Sequence, residues 1–381
     1  MFYPPELLTW TENVSRYLPH LSKNQAKLLA WYSFAVSVVQ GCGISQVVCY
    51  LSDVLGQREE TLRQRLRETL YDAADKRGKH RRELDPVLCF GPLLQWVIQH
   101  WLSADQIIFL ALDATTLRQT FTVLSVSVLV GKCAIPVAWT ILPATQAGQW
   151  QGHWKGLLQA VQGLTPSLQV MVLADRGLYA KWLFEGIVQC GWHPLLRIND
   201  QGNVCLLTTG QRLKLHQLAR LCKTKQWQGM VTCFSAQRRL RCTLLIVWNA
   251  DQKTPWLLVT DLPVFQVSPT WYTLRMWIET GFKFLKSAAF HWERTRMTDP
   301  ARAERLWLIL ALAALRVALL APPPEPLPLR TYPRLSLFKR GLIRQLAFLT
   351  RARPLFFSPL SFFSLPPSPY LDFLNLLNTY P

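Results

Sequence analysis

Acidic residues are scarce in this chain. Of its 381 residues, 23 are Asp or Glu and 42 are Lys or Arg, which gives a formal net charge of +19. Residues 201–250 contain no acidic residue at all, but they contain eight basic ones. This charge balance favours a polyanionic partner, either nucleic acid or an anionic membrane surface. The eight basic residues are Arg212, Lys214, Arg220, Lys223, Lys225, Arg238, Arg239 and Arg241.

Paired cysteines and a secretion signal are also missing. The nine cysteines are an odd number and include no Cys-x-x-Cys pair, which fits a reducing compartment better than a disulfide framework. Cys190 and His193 have metal-ligand spacing, but no second pair follows, so we interpret them as structural. The first residues lack a basic segment followed by an apolar one. We therefore expect a cytoplasmic, nucleoid-associated protein.

No apolar run is long enough to span a membrane. The most apolar stretch, residues 306–321, has sixteen residues and is interrupted by Arg316. Asp299 and Pro300 just before it are typical of a helix start. The stretch therefore predicts a buried core helix, and no membrane partner is expected.

The first part of the chain, residues 1–104, predicts a helical DNA-binding region. One amphipathic helix is expected to end at Gly56, and the next begins near Glu59 and carries Arg63, Arg65 and Arg67. A helix, a glycine turn and an arginine-bearing helix are the outline of a helix-turn-helix DNA reader. An ordinary helical hairpin with a solvated basic face is the alternative. Residues 76–82 hold five cations and suggest a phosphate-contacting loop.

Strand patterns begin near residue 107. Two apolar runs are each followed directly by a carboxylate, Asp113 in one case and Asp175 in the other. Because a carboxylate inside a fully buried strand costs several kcal/mol or more, acids at strand ends are candidate metal ligands. Asp261 also follows an apolar run and competes with Asp175 by pattern alone.

We expect an α/β fold with a core in two parts, residues 105–198 and 263–321. Residues 199–262 predict an all-β insertion whose single sign of charge suits a DNA backbone. Residues 322–381 predict a Pro-rich linker, a basic helix and a tail for which the sequence offers no physical account.

A helix over residues 271–286 would align four polar side chains. At about 100° per residue, Tyr272, Arg275, Glu279 and Lys286 fall within about 60° of one another. The opposite side carries apolar residues that can enter a core. A carboxylate flanked by cations suits metal-assisted chemistry on a phosphate, whereas a solvated face with helical ion pairs is the alternative. Neither Arg275 nor Lys286 has an obvious structural task.

The residues of this helix resemble the Tyr-Arg-Glu-Lys signature of the insertion-sequence-4 family of DDE transposases. All four residue types and all three gaps match, from Tyr272 to Lys286. The resemblance also includes the segments around Asp113 and Asp175, continues to residues 292–296, and covers about residues 20–320.

This resemblance implies a ribonuclease-H-like catalytic core interrupted by a β insertion. It implies that Asp113, Asp175 and Glu279 are the catalytic metal ligands, with Mg²⁺ as the cofactor and Mn²⁺ as a possible substitute. Tyr272, Arg275 and Lys286 would contact phosphates and terminal bases. The partners would be double-stranded DNA, both as terminal inverted repeats and as target, and a second copy of the chain in a paired-end complex.

Two other interpretations of the sequence remain. The chain could be a catalytically silent DNA-binding relative of such enzymes, or a ribonuclease-H-like nuclease that cuts branched DNA without joining it. Some relatives hold a flipped base on a tryptophan of the insertion while a hairpin forms. Trp227, Trp248 and Trp256 are available for that role, and the sequence does not choose between them.

Overall fold

The described part of the molecule covers most of the chain before residue 322. The structure is a computed structural model that describes residues 4–77, 81–101, 107–145, 148, 150–163, 168–223, 226–234, 239–248, 253–321 and 335–352. The tail after residue 352, the Pro-rich linker and part of the cationic segment 76–82 lie outside these residues, so those predictions stay open.

The described N-terminal region consists of helices joined by turns and short loops. Gly56, with φ of 60°, ends the third helix, and the fourth begins three residues later, as the helix-turn-helix pattern predicts. Leu62 and Leu66 of the fourth helix are fully buried, whereas Arg65 and Arg67 are exposed. The five α-helices are α1 (Pro5–Tyr17), α2 (Lys23–Val39), α3 (Ile44–Leu55), α4 (Glu59–Thr69) and α5 (Val87–Trp101).

One ten-stranded sheet forms the centre of the molecule, in the order β3-β2-β1-β4-β5-β10-β9-β8-β6-β7. The first three strands are antiparallel neighbours, and β4 and β5 add in parallel to β1. The strands are β1 (Ile108–Leu117), β2 (Phe121–Val130), β3 (Cys133–Pro143), β4 (Val170–Ala174), β5 (His193–Ile198), β6 (Asn203–Leu206), β7 (Arg212–Lys214), β8 (Gln226–Cys233), β9 (Leu240–Val247) and β10 (Trp256–Thr260).

The predicted insertion, residues 199–262, is not all-β. It contains the helix α8 (Leu215–Leu221), which the strand-rich pattern hid because the segment is short. Its strands also extend the same sheet, since β10 pairs antiparallel with β5 through Leu258 and Arg197. The insertion is therefore continuous with the core through backbone hydrogen bonds.

Helices cover the sheet and join it to the N-terminal region. The apolar run predicted as a core helix lies inside α10 (Pro300–Leu320), and the Asp299 side chain caps it by accepting a bond from the backbone of Arg302. This helix packs against α2, β3 and α11 (Leu337–Ala352). The other helices of the core are α6 (Gln151–Val161), α7 (Lys181–Gln189) and α9 (Trp277–Lys283).

Two buried arginines of α10 fix this arrangement. Arg305 donates to the backbone oxygens of Leu84 and Leu70 and lies 2.7 Å from Asp72. Arg316 donates to Ser37 of α2 and to Gln345 of α11. Because a buried guanidinium must have its donors satisfied, these contacts hold the N-terminal region in one position on the core.

The described residues include no single helix that is long and apolar enough to cross a membrane. Only the pair Lys23–Val39 and Ile44–Leu55, bent by 104°, has the required length and composition when its two helices are counted together.

Candidate active site

Asp113 and Asp175 lie side by side on neighbouring parallel strands. Leu112 of β1 and Ala174 of β4 form the last residue pair between these two strands, and each acid is the next residue along the chain. Asp175 ends its strand as the sequence predicts. Asp113 does not, because β1 continues to Leu117 by pairing with β2 alone. Beyond Leu112, β1 has no β4 strand on one side, and this leaves room for the carboxylate of Asp113.

The segment that carries Glu279 is helical throughout, but it is not an ideal α-helix. It begins as a 3₁₀-helix over Pro269–Met276, continues as α9, and ends as a π-helix over Phe284–Ala288. The turn per residue therefore changes twice between Tyr272 and Lys286, and the alignment expected for a uniform helix does not apply. Sequence spacing alone cannot predict such a change of pitch.

Arg275 lies at the centre of the three acidic side chains. Its Nη2 atom is 3.0 Å from Oδ2 of Asp113 and 3.7 Å from Oδ2 of Asp175, and its Nη1 atom is 3.4 Å from Oε1 of Glu279. The arginine side chain is only 12% exposed, and its Nε has no hydrogen-bond partner among the described residues. Arg275 thus has a structural task that the sequence does not reveal.

Lys286 also contacts the strand that carries Asp113. Its Nζ donates to Oγ1 of Thr115 at 3.1 Å and to the backbone oxygen of Thr116 at 2.6 Å. These bonds join the π-helical turn to the exposed end of β1. The ammonium group is therefore held near Asp113, with which Lys286 lines the same cavity.

Tyr272 is buried behind Asp175. Its side chain is 4% exposed, and its hydroxyl lies 3.4 Å from both the Ala174 oxygen and Oδ1 of Asp175. The ring packs edge-on against Trp256 of β10, at 5.2 Å between centroids. Burial, followed by the nearby Asp175 charge, raises the pKa of Tyr272 far above its ordinary value. The phenol therefore stays neutral and acts as a hydrogen-bond donor.

The environment of Asp113 opposes its ionisation in part. Burial raises the pKa of this carboxyl, and the charges of Asp175 and Glu279 add to the rise. Arg275 and the backbone N–H of Ala114, which donates to Oδ1 at 2.9 Å, act in the other direction. Since carboxylates repel one another at short range, a cation among them stabilises their charged forms.

The three acids have the right chemistry to hold divalent metal ions. Hard oxygen ligands from separate segments are what Mg²⁺ prefers, and all three already lie within 3.7 Å of one organic cation. No group of three or more His, Cys, Asp or Glu side chains is poised as a metal site within the described residues. We attribute this to Arg275, whose guanidinium stands where the carboxylates converge.

Two cavities open beside Glu279. The first, of about 460 Å³, is lined by Asp113, Thr115, Glu279 and Lys286 among others. The second, of about 480 Å³, also includes Glu279 and lies next to the turn between β2 and β3. Glu279 is therefore accessible from both sides, and its side chain is 61% exposed.

Other candidate residues lie in different surroundings. Asp261, the alternative to Asp175, accepts a hydrogen bond at Oδ2 from Nδ1 of His193 at 2.9 Å. This contact gives Asp261 a structural partner. Cys190 and His193 contribute to no cluster of metal-ligand type among the described residues. In the N-terminal region, Arg63 binds Glu59 and Ser45, and Arg65 binds Gln57.

Sequence reasoning missed two basic residues near the site. Arg197 of β5 lies 3.9 Å from Oδ1 of Asp175, and Lys132 lines the second cavity. Residues 131–132 form the turn between β2 and β3, and the position of this turn next to Glu279 depends on tertiary packing. Arg197 gave no signal, because it lies inside an otherwise apolar strand.

Comparison with known protein families finds a match to part of the core. Residues 139–316 match the family model described as the transposase DDE domain. The match supports a DDE transposase. The matched residues include Asp175, Glu279 and the segment from Tyr272 to Lys286, whereas Asp113 precedes them. No curated protein matches the chain. The DDE domain implies a ribonuclease-H-like fold, a DNA substrate and the use of divalent metals.

Proposed function

We propose that this chain is a transposase of the insertion-sequence-4 family. It binds the terminal inverted repeats of its element, cleaves the DNA there and joins the freed ends to a new site. The observation that carries this proposal is the convergence of Asp113, Asp175 and Glu279 from three separate segments around one cation. Two of these acids lie in the part of the chain that matches the transposase DDE domain.

The three acids would hold Mg²⁺, with Mn²⁺ as a possible substitute. When bound, divalent metals supply activation of the attacking oxygen and stabilisation of the leaving oxygen during displacement at phosphorus. The carboxylates are mounted on different elements, a strand interior, a strand end and a helix. Their relative positions are therefore set by the fold and not by one flexible loop.

The remaining polar residues orient these ligands and the DNA. Tyr272 donates to Asp175 and fixes the orientation of its carboxyl group. Arg275 contacts all three acids, Lys286 lines the same cavity as Asp113 and Glu279, and we assign both cations to the scissile phosphate. Both lie close enough to contact a phosphate that bridges the first cavity, since Lys286 lines it and Arg275 contacts two of its acidic residues. Because Tyr272 is buried, we assign it to Asp175 and not to the terminal bases.

Recognition of the ends is assigned to α4, and general DNA affinity to the basic insertion. Arg65 and Arg67 project from the exposed side of α4, as expected for a recognition helix. The insertion strands extend the sheet from β5, which is the neighbour of the β4 strand that leads to Asp175, so DNA lying on them would run towards the site. A pair of ends requires two copies of the chain, which makes a homodimer the functional unit we propose.

The test is DNA cleavage and joining by the purified protein. DNA flanking the reading frame supplies the candidate inverted repeats, and labelled end DNA with Mg²⁺ reports nicking. A pre-cleaved end incubated with supercoiled plasmid reports joining. We expect both reactions, and neither with EDTA. Binding of end DNA without either reaction would identify a silent relative, and cutting of branched DNA without joining would identify a nuclease.

A further inference from the structure

Glu279 separates two cavities of similar size. The first is lined by Asp113, Thr115 and Lys286 and has a volume of about 460 Å³. The second has a volume of about 480 Å³ and is lined by Lys132, Met276, Trp277, Glu279, Thr280 and Lys283. The second cavity contains none of the residues that resemble the family signature except Glu279. A joining reaction requires two DNA segments at one set of carboxylates, the cleaved end and the target.

The second cavity is built from elements that pack tightly. Its floor is α9, which lies so close to the start of β3 that a Cβ on Gly281 would be 2.7 Å from the backbone oxygen of Ala134. This contact fixes the helix against the hairpin of β2 and β3. The lining residues of the helix therefore keep a set distance from the hairpin turn.

Lys132 reaches this cavity from a strained turn. Residues 131 and 132 join Val130 to Cys133, which are a directly paired position of the hairpin. Both have positive φ, 52° for Gly131 and 63° for Lys132, as a two-residue hairpin turn of type I′ requires. Asn or Gly is favoured at such a position, and a lysine there stores backbone strain. The strain indicates that the side chain matters at this place.

The turn is held in position by α11. The backbone N–H of Leu337 donates to the Gly131 oxygen at 3.0 Å, and that of Phe338 donates to Sγ of Cys133 at 3.2 Å. The Leu337 side chain lies against the Gly131 backbone so closely that a Cβ at residue 131 would collide with it. The position of the turn that carries Lys132 is thus set by its contacts with α11.

The residues that line the second cavity are suited to contact a DNA backbone. Lys132 and Lys283 supply positive charge, and Met276, which is 59% exposed, supplies an apolar surface next to Trp277. Cations beside exposed apolar side chains contact phosphates and sugars without reading sequence. A single acid, Glu279, lines this cavity, and it belongs to the catalytic set.

We propose that the second cavity binds the sugar-phosphate backbone of target DNA, while the first cavity holds the cleaved end. This assignment rests on the proposed transposase function. It gives Lys132 and Met276 a task in joining and none in end cleavage. Lys283 lines both cavities, so its substitution would not separate the two steps.

The experiment separates joining from cleavage with a variant that keeps the turn intact. Lys132→Asn removes the charge and places a residue favoured at positive φ in the turn, so the fold is retained. We expect the joining of a pre-cleaved end to supercoiled plasmid to fall by about tenfold, the loss of one charged phosphate contact. Nicking of uncleaved end DNA should stay within about twofold of the unchanged protein, and Lys132→Arg should restore joining.

A binding measurement supplies a readout without chemistry. End DNA is bound in Ca²⁺, and a labelled random duplex is then titrated onto the complex at several salt concentrations. For Lys132→Asn the salt slope of this second binding should decrease by about one. Met276→Ala should weaken the same binding without changing the slope.

Normal joining and an unchanged salt slope in Lys132→Asn would overturn the assignment of the second cavity. An equal loss of end cleavage and joining would also overturn it, because Lys132 would then act on the end. These outcomes differ from failure of the proposed function, in which the unchanged protein itself neither cleaves nor joins.

Discussion

Arg275 donates from Nη2 to Oδ2 of Asp113 at 3.0 Å, and this bond joins the helical segment to the central strand of the core. The same guanidinium lies within 4 Å of Asp175 and Glu279. A resident arginine therefore neutralises the acids that would hold metal ions. A divalent metal at these acids would have to share or displace this cation, which would link stability and metal binding through one side chain.

Arg275→Ala should destabilise the metal-free protein by about 1–3 kcal/mol. Removing one partner of a fully buried pair costs about 3–5 kcal/mol, and the exposure of Glu279 and Asp175 reduces that cost. Mg²⁺ should then raise the melting temperature of Arg275→Ala more than that of the unchanged protein, since the metal replaces the missing charge. Thermal melts in EDTA and across a Mg²⁺ titration measure both effects.

Arg275→Lys is the matched control for this experiment, because it keeps the charge and loses the three-way contact. Its stability in EDTA should lie between that of Arg275→Ala and that of the unchanged protein. Equal metal-induced shifts of the melting temperature in all three proteins would show that the metal does not bind next to Arg275. Single-turnover cleavage by the folded fraction separately tests the phosphate contact, where we expect a loss of about tenfold to a hundredfold for Arg275→Ala.

Asp175→Asn should abolish cleavage, whereas Asp261→Asn should leave it unchanged. Asp175 is the neighbour of Asp113 on parallel strands, but Asp261 is bound to His193. Asp113→Asn and Glu279→Gln should behave like Asp175→Asn, with end binding preserved in a gel-shift assay. Nicking of labelled end DNA with Mg²⁺ is compared among these four variants. Full nicking by Asp175→Asn would remove it from the catalytic set.

Lys286→Met should slow end cleavage by about tenfold with only a small change in melting temperature. Methionine keeps the apolar stem and loses the ammonium group that donates to Thr115 and Thr116. The salt dependence of end binding should become shallower because one fewer phosphate is neutralised. A destabilised Lys286→Met with a normal single-turnover rate would assign the lysine to structure alone.

Arg65→Ala combined with Arg67→Ala should reduce the preference for end DNA over random duplex. Both side chains are exposed on α4, although Arg65 also contacts Gln57, whereas Arg63 is half-buried and contacts Glu59 and Ser45. Adding Arg63→Ala should lower binding further, together with a small loss of stability. Arg16→Ala on the exposed side of α1 is the control for net charge. Unchanged specificity in the triple variant would contradict the helix-turn-helix assignment.

Local patterns in the sequence predict much of this fold, whereas long-range packing is visible only in the structure. Gly56 ends α3 and Asp299 begins α10 because both signals act within one turn of helix. The pairing of β5 with β10 joins residues 59 to 63 positions apart, which no local pattern encodes. For the same reason, the sequence placed Arg275 near Glu279 but did not reveal its contact with Asp113.

A pH-dependent prediction concerns Glu304, which joins α10 to β3. Its Oε1 accepts bonds from Oγ1 of Thr140 at 2.9 Å and from the backbone N–H of Ile141 at 2.8 Å. Burial raises the pKa of this carboxyl, and the two hydrogen bonds and Arg305 only partly oppose the rise. The folded state therefore binds a proton more tightly than the unfolded state does. The contribution of Glu304 to stability must fall as pH rises from its ordinary pKa through the raised one.

Glu304→Gln removes this titration while its side-chain oxygen can still accept both bonds. Relative to the unchanged protein, the variant should gain stability as pH increases from about 4 upward, and the difference should level off once Glu304 is ionised in both states. Urea unfolding between pH 4.5 and 8 measures the difference. Glu304→Ala is the control, and it should be destabilised at every pH because it leaves the Ile141 N–H without its acceptor. A stability difference for Glu304→Gln that stays flat, or decreases with pH, would show that ionised Glu304 is as well stabilised in the fold as in water.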